Sequence, residues 1–509
     1  MSRVRRPNIL LVMTDQHRFD HVGFNGNAVV QTPTLDALAE TGRVYRQTYV
    51  ASPTCAPNRA SLLTGRSSSA HGLRVNGLPL APGTPTIADA LLDAGYVTHH
   101  IGKSHLQPYG ITAERDGGNG DGELDPETQW ENRQRHEREL VSMPEPYYGF
   151  QHVEVTCGHG DNVGGHYVHW LRERGIDPDQ VRGESHATEK SSIWGQVYRP
   201  ALPAELYPTT YITERAESAI RRYSEDDAPF LLVVSFPDPH HPFTPPGKYW
   251  SMYDPDDMPL PPSFDAAHVR EPEHVRRLRE HRGEGGDEYT GWAPTVEQFR
   301  QALAAQYGMI TMIDDSISRL IEVLKDAGQL DTTVIIFTSD HGDMFGDHGL
   351  MFKHALHYQG CIRVPLLIAG PGIAAAQVED LVSTVDIGAT ILDLAGVDQL
   401  PGSVGKPLKP TSPDERAPRT SVLIEEDEEF SLPGLPGPIR IRTVVTGEGR
   451  LTLYNNGMGE LYATRDDPDE LVNLFGRPEA AQLEARLREQ LLLNMVEADD
   501  RSRKPTVAG

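Results

Sequence analysis

Cysteine is scarce: the 509 residues hold three, Cys55, Cys157 and Cys361. An odd, widely spaced set excludes a disulfide framework and a paired-cysteine metal signature, and it favours a reducing compartment. Long apolar runs are missing too. No stretch reaches the ~20 apolar residues that span a bilayer. The run Ile9 to Met13 in MSRVRRPNILLVMTDQ is shorter than the core of a secretion signal and lacks a small-residue cleavage site. It reads as a buried strand, and the expectation is a soluble, cytoplasmic protein without a membrane partner. Positive charge is in deficit, with 47 Lys and Arg against 73 Asp and Glu and a formal net charge of −26. That field repels nucleic-acid backbones and anionic membranes, so an anionic substrate must meet a local cationic site. No internal repeat is present.

What is present is the material of a large core, since a chain this long needs no staples. Ile9 to Met13, Phe230 to Ser235 (FLLVVS), Thr333 to Thr338 (TVIIFT) and Val364 to Ala369 (VPLLIA) are short continuous apolar runs. Such runs are expected of strands buried on both faces of a parallel sheet. Polar residues follow each run, and ligands in open α/β sheets bind beyond the carboxyl ends of strands, so these tails are expected to share one site. Helical patterns lie between them, at Pro33 to Thr41, Arg59 to Thr64, Thr86 to Ala94, Thr209 to Tyr223 and Val296 to Ala327. The alternation predicts an α/β fold with a large, doubly wound, mostly parallel sheet flanked by helices. Two weakly periodic segments, about 106–206 and 243–292, containing DGGNGDGELDPE and HRGEGGDE, read as surface insertions that shape access. A helical stretch, Leu381 to Leu394, ends this catalytic unit, residues 1–395. Residues 396–509 are expected to form a smaller α+β unit, with strands Ser421 to Ile424, Ile439 to Thr446 and Arg450 to Tyr454 and a final helix from about Pro478 to Val496.

Cys55 lies in SPTCAPNRASLLTG, where Pro57 fits the first turn of a helix that Arg59 to Leu63 continue. Backbone N–H groups and Arg59 at that helix start favour an anion. A cysteine in such a place is ordinarily a packing residue, and the surrounding pattern decides otherwise. The order C-x-P-x-R, here Cys55, Ala56, Pro57, Asn58, Arg59, resembles the sulfatase signature. The resemblance implies oxidation of Cys55 to formylglycine by dedicated maturation machinery. Its hydrate offers one hydroxyl to attack sulfur or phosphorus, and a second to collapse the resulting hemiacetal ester and expel the inorganic anion.

Asp15 and Gln16 follow the first strand, and Asp340 and His341 follow TVIIFT, so both pairs should reach one sheet edge. Two carboxylates, an amide oxygen and an imidazole suit a hard or borderline divalent ion. The pairs also resemble the family's metal quartet, which in many members is Asp-Asp with Asp-Asn, and Cys55 joins it as formylglycine. Asp-Gln with Asp-His resembles the branch of phosphonate monoester hydrolases and choline sulfatases, which implies one ion, calcium or alternatively manganese. GKSHL supplies Lys103 and His105, PDPHHPF supplies His240, and GDHGLMFKH supplies Lys353. By resemblance, Arg59, Lys103 and Lys353 complement the anionic head group, and His105 is the base for hemiacetal breakdown. His240, with Lys353, serves the leaving-group oxygen. The G-K-x-H pair tilts the reading toward sulfate esters.

The resemblance runs from PNILLVMTDQ through QTPTLDALAETG, SDHGD and VSTVDIGATILDLAG to ELYATRDDPDELVNL, most of the chain. It implies hydrolysis of small sulfate monoesters. Phosphonate monoesters or phosphodiesters are the alternative substrates, and a metal-binding relative without turnover is the reading from another class. The segment VTCGHGDNVGGHYVHW, with Cys157, His159, His166 and His169, fits no zinc spacing and reads as a substrate-side loop. For a large acidic hydrolase, self-association into a homo-oligomer through the insertions or the C-terminal tail is the expectation.

Overall fold

The computed structural model describes residues 6–110, 126–286, 290–412 and 419–499. Most of DGGNGDGELDPE, the end of HRGEGGDE and residues 413–418 of the linking passage lie outside the described residues. The strands are β1 (Asn8–Thr14), β2 (Arg43–Tyr49), β3 (Val97–Gly102), β4 (His152–Cys157), β5 (Gly164–Gly165), β6 (Glu189–Lys190), β7 (Tyr198–Arg199) and β8 (Phe230–Ser235). They continue with β9 (Thr333–Ser339), β10 (Leu366–Ala369), β11 (Ala376–Ser383), β12 (Ser421–Glu428), β13 (Ile439–Thr446), β14 (Arg450–Tyr454) and β15 (Gly459–Tyr462).

Nine strands form the main sheet in the order β11-β2-β10-β9-β1-β8-β3-β4-β5. The continuous apolar runs sit at its centre because both faces are covered. In β1, Ile9, Leu11 and Met13 join one core with the helices Cys55–Thr64, Ile87–Asp93 and Val385–Ala395. Leu10 and Val12 join the opposite core, under the helices Pro33–Thr41, Pro208–Tyr223 and Val296–Asp326. The register aligns the chemistry: β1 and β9 pair in parallel from Asn8↔Thr333 to Thr14↔Ser339, so Asp15 and Asp340 leave the sheet side by side. Gly102 pairs with Ser235 on β8, bringing Lys103 to the same edge. Only a residue without Cβ fits at Gly102, where φ is +104° and a Cβ would lie 1.9 Å from the Ser235 carbonyl oxygen.

Three sequence expectations need correction. Leu366–Ala369 runs antiparallel to both β9 and β2, so the residues after it point away from the site. An apolar run buried on both faces carries no direction; the chain does instead, and the segment between β9 and β10 delivers Lys353. Leu381 to Ser383 belong to β11, and the helix begins at Val385. The segment 106–206 is not wholly a surface insertion, because β4 pairs in parallel with β3 and extends the main sheet.

The second sheet is antiparallel, in the order β12-β13-β14-β15. The helix Ala481–Glu497 packs Leu487 and Leu491 against Val444, Leu451 and Leu461. Between the sheets, His354 Nδ1 lies 2.6 Å from Glu428 Oε1 and His357 Nε2 lies 2.9 Å from Glu426 Oε2, all buried. Burial alone would lower the His354 pKa; Glu428 and Glu426 outweigh it and push it from 6.5 up to about 9. A folded pKa above the unfolded one stabilises fully below pH 6.5, and that contribution is lost as pH rises through 9. Urea unfolding at pH 6.5 and pH 9.5 is therefore expected to differ by about 3 kcal/mol more in the parent than in His354→Asn. An identical pH dependence in the two proteins would contradict the assignment.

Candidate active site

The helix Cys55–Thr64 follows β2 and is buried along its whole length, ending at Gly65 in the left-handed region. Asn58 fixes its start: Nδ2 donates to the Asp340 carbonyl at 2.5 Å, while Oδ1 accepts from Ala51 N at 2.9 Å and Thr384 Oγ1 at 2.7 Å. Cys55 Sγ then lies 3.0 Å from His341 Nε2, 3.2 Å from Lys353 Nζ and 3.8 Å from Asp15 Oδ1. His105 comes within hydrogen-bonding reach of the same thiol.

All ten sequence-predicted site residues converge here, each buried. Arg59 Nε donates to Asp340 Oδ2 at 2.8 Å, and its NH1 donates to the Lys103 carbonyl at 2.6 Å and Ser235 Oγ at 2.7 Å. Lys103 Nζ donates to Asp15 Oδ2. Lys353 Nζ donates to Gln16 Oε1 at 2.9 Å and lies 2.9 Å from His341 Nε2 and 3.3 Å from His240 Nε2. Three cations thus face two carboxylates, the local positive island that a chain of net charge −26 needs in order to hold an anion.

The donor set fits a divalent ion. Asp15, Cys55, Asp340 and His341 each present a ligand atom, all within 4.8 Å of one another. Their orientations are fixed from behind, as metal ligands require. His341 Nδ1 bonds the Gly342 carbonyl oxygen at 2.8 Å and turns Nε2 inward. Gln16 Nε2 donates to Asp343, which aims Oε1 into the cluster. Asp340 Oδ1 accepts from the backbone of Gln16 at 3.1 Å and of His341 at 2.8 Å. Gly342 is required, since a Cβ there would meet the Gly360 carbonyl oxygen at 1.9 Å.

Electrostatics divides these groups by role. Burial alone raises the Cys55 pKa, but Lys103, Lys353 and His341 bring it well below the usual thiol range. Burial and the adjacent Asp340 push Asp15 up to about 6, against the opposing pull of Lys103 and Arg59. Burial lowers His105 to about 4 and holds His240 well below the usual imidazole range, so both are neutral at pH 7. Lys353 is held above its ordinary value, because Cys55, Asp15 and Asp340 outweigh burial.

One site residue escaped sequence reasoning as a member of the cluster. His159 Nε2 lies 2.7 Å from Lys103 Nζ and 3.8 Å from Asp15 Oδ2, and its ring stacks on His240 at 3.6 Å. The usable signal was positional: GHGD follows β4 at once, as Asp15 and Gln16 follow β1. His166 and His169 instead meet backbone groups around Val155, His136 and Glu139.

A family model described as Sulfatase matches residues 7–397, and one described as N-sulphoglucosamine sulphohydrolase, C-terminal, matches 346–497. An arylsulfatase of Clostridium perfringens is 31% identical, over 96% of this chain and 94% of its own length. A choline-sulfatase of Rhizobium meliloti is 28% identical, over 93% of this chain and 83% of its own. Among solved structures, a phosphonate monoester hydrolase of Agrobacterium radiobacter superposes with a TM-score of 0.77 at 27% identity, covering 98% of this chain and 97% of that one. The chain belongs to the sulfatase family and is a sulfuric ester hydrolase.

Proposed function

We propose that this site hydrolyses small sulfate monoesters to inorganic sulfate and an alcohol or phenol, with Cys55 matured to formylglycine beside one divalent ion, calcium or manganese. The observation that carries the reading is the position of Cys55 Sγ, at a buried helix start, 3.0 to 3.8 Å from His341, Lys353 and Asp15. As the hydrated aldehyde, residue 55 supplies two hydroxyls on one carbon, one to attack sulfur and one to expel the sulfate afterwards. Asp15, Gln16, residue 55, Asp340 and His341 would hold the ion, which when bound would supply Lewis-acid stabilisation of the anionic head group.

The remaining steps belong to the protein's own side chains. Arg59, Lys103 and Lys353, all buried, pair with the sulfate oxygens, and their burial strengthens each interaction. His105, neutral at pH 7, is able to take a hydroxyl proton from residue 55. Lys353 carries the proton for the leaving oxygen, and His240 Nε2, 3.3 Å from Lys353 Nζ, orients it from the leaving-group side. His240 holds that orientation through Nδ1, which bonds the His241 carbonyl at 2.5 Å. All three cysteines are free and buried, which supports a reducing, cytoplasmic setting.

A second reading, hydrolysis of phosphonate monoesters or phosphodiesters, draws support from the Asp-Gln and Asp-His pairs and from the phosphonate monoester hydrolase structure that this chain matches. Measuring kcat/KM on an aryl sulfate, a phosphodiester and a phosphonate monoester separates the two. A sulfate preference of about tenfold or more, some 1.4 kcal/mol, is expected. A phosphonate preference of that size would make the second reading the correct one.

A further inference from the structure

Glu425, Glu426, Asp427 and Glu428 on β12 are all buried, at 7% exposure or less. Four successive carboxylates survive burial only when matched by donors. Two of the matches lead to Lys353. Glu428 takes His354, and both oxygens of Glu426 accept the Ala355 N–H, at 3.1 and 3.0 Å. Glu426 also meets His357 Nε2, whose Nδ1 lies 2.7 Å from Thr443 Oγ1 on β13. The segment after Lys353 is thereby pinned to two strands of the C-terminal sheet.

That segment is held in a costly conformation. Phe352 (φ 72°), His354 (φ 78°) and Ala355 (φ 55°) all occupy the left-handed region, and none is glycine. Each such residue costs about 1–3 kcal/mol and persists only where its surroundings over-determine it. On the near side, Phe352 N donates to Asp343 Oδ1 at 2.8 Å. On the far side His354 and the Ala355 N–H are held by the carboxylates of β12, and the Ala355 carbonyl lies 3.1 Å from His274 Nε2. Lys353 sits between, with a flexible four-carbon stem whose aim is set by its backbone.

We propose that Glu426 and Glu428 are positioning residues for the hydrolytic reaction: through His354, His357 and the Ala355 amide, they hold Lys353 between Cys55, Gln16 and His240. The inference rests on Lys353 acting in the reaction as described above. It gives the C-terminal sheet a part in the chemistry as well as in stability.

The test is a double-mutant cycle on the formylglycine-bearing, metal-loaded enzyme, with kcat and KM measured on an aryl sulfate. Glu426→Gln and Glu428→Gln are expected to lower kcat about 10- to 100-fold, the scale of a misplacement near 1 Å. In a Lys353→Ala background the same substitutions are expected to change kcat by less than about threefold, because they act through Lys353. Parental kcat in either carboxylate variant, or an equal loss in both backgrounds, would overturn the proposal. Parental kcat in Lys353→Ala alone would instead overturn the role of Lys353. Where Glu426→Gln fails to fold, Glu428→Gln carries the comparison. Failure of both to fold also counts against the proposal, because the carboxylates would then carry the fold and not the aim of Lys353.

Discussion

Cys55→Ala is expected to lower kcat on an aryl sulfate by at least ~10^4-fold, the scale seen when a covalent nucleophile is removed. No neighbour can substitute. His341, Lys353 and Asp15 surround the position, but none offers two hydroxyls on one carbon. The substitution leaves a methyl group where the matured residue carries its aldehyde, on a helix anchored by Asn58 and Arg59, so the fold and the cationic pocket should survive. Inorganic sulfate should still bind to the variant, at an affinity within about tenfold of the parent, since uniform binding and chemistry are separable. Turnover within tenfold of the parent would show that residue 55 is not the nucleophile.

The second large effect is expected at Asp340→Asn. Asp340 Oδ1 accepts the Gln16 and His341 amides, and Oδ2 accepts Arg59 Nε at 2.8 Å. Asparagine has only one acceptor. If its oxygen keeps the two amides, its NH2 group is driven against the Arg59 donor. If it turns over, two buried amides lose their partner. Breaking a buried ion pair in this way costs about 3 kcal/mol or more. The same change removes one of two carboxylate ligands, so metal content should fall by about 10- to 100-fold at limiting ion. Together these should lower kcat on the order of 10^3-fold. Metal analysis, urea unfolding and kcat on the purified variant check all three. Full metal content with kcat within about threefold of the parent would contradict the assignment.

The central strands and the reaction residues were legible in the sequence for the same reason. β1, β8 and β9 are buried on both faces, so their apolar runs are unbroken, and the polar residues that interrupt them mark the sheet edge. Peripheral strands carry no such signal. β2 reads RVYRQTY and β3 reads VTHHIG, because their charged and imidazole groups are matched by partners far along the chain. Arg43 NH1 reaches the Ser412 carbonyl, and His99 Nδ1 reaches the Tyr223 hydroxyl. The direction of β10 was illegible because period and polarity are the same read either way. The acidic run of β12 looks like a solvated edge, and its burial depends on His354 and His357, about seventy residues earlier. His159 was obscured likewise, since β4, next to the last strand of the main sheet, mixes His152 and Glu154 into its run.

The most direct test of the account is the mass of the tryptic peptide spanning residues 47–59, taken from enzyme that turns over an aryl sulfate. Conversion of the Cys55 thiol to an aldehyde makes that peptide lighter by about 18 Da. This lighter peptide is the expected result, in a fraction that rises in proportion to kcat across preparations. An active enzyme whose peptide carries only the unmodified thiol would contradict it.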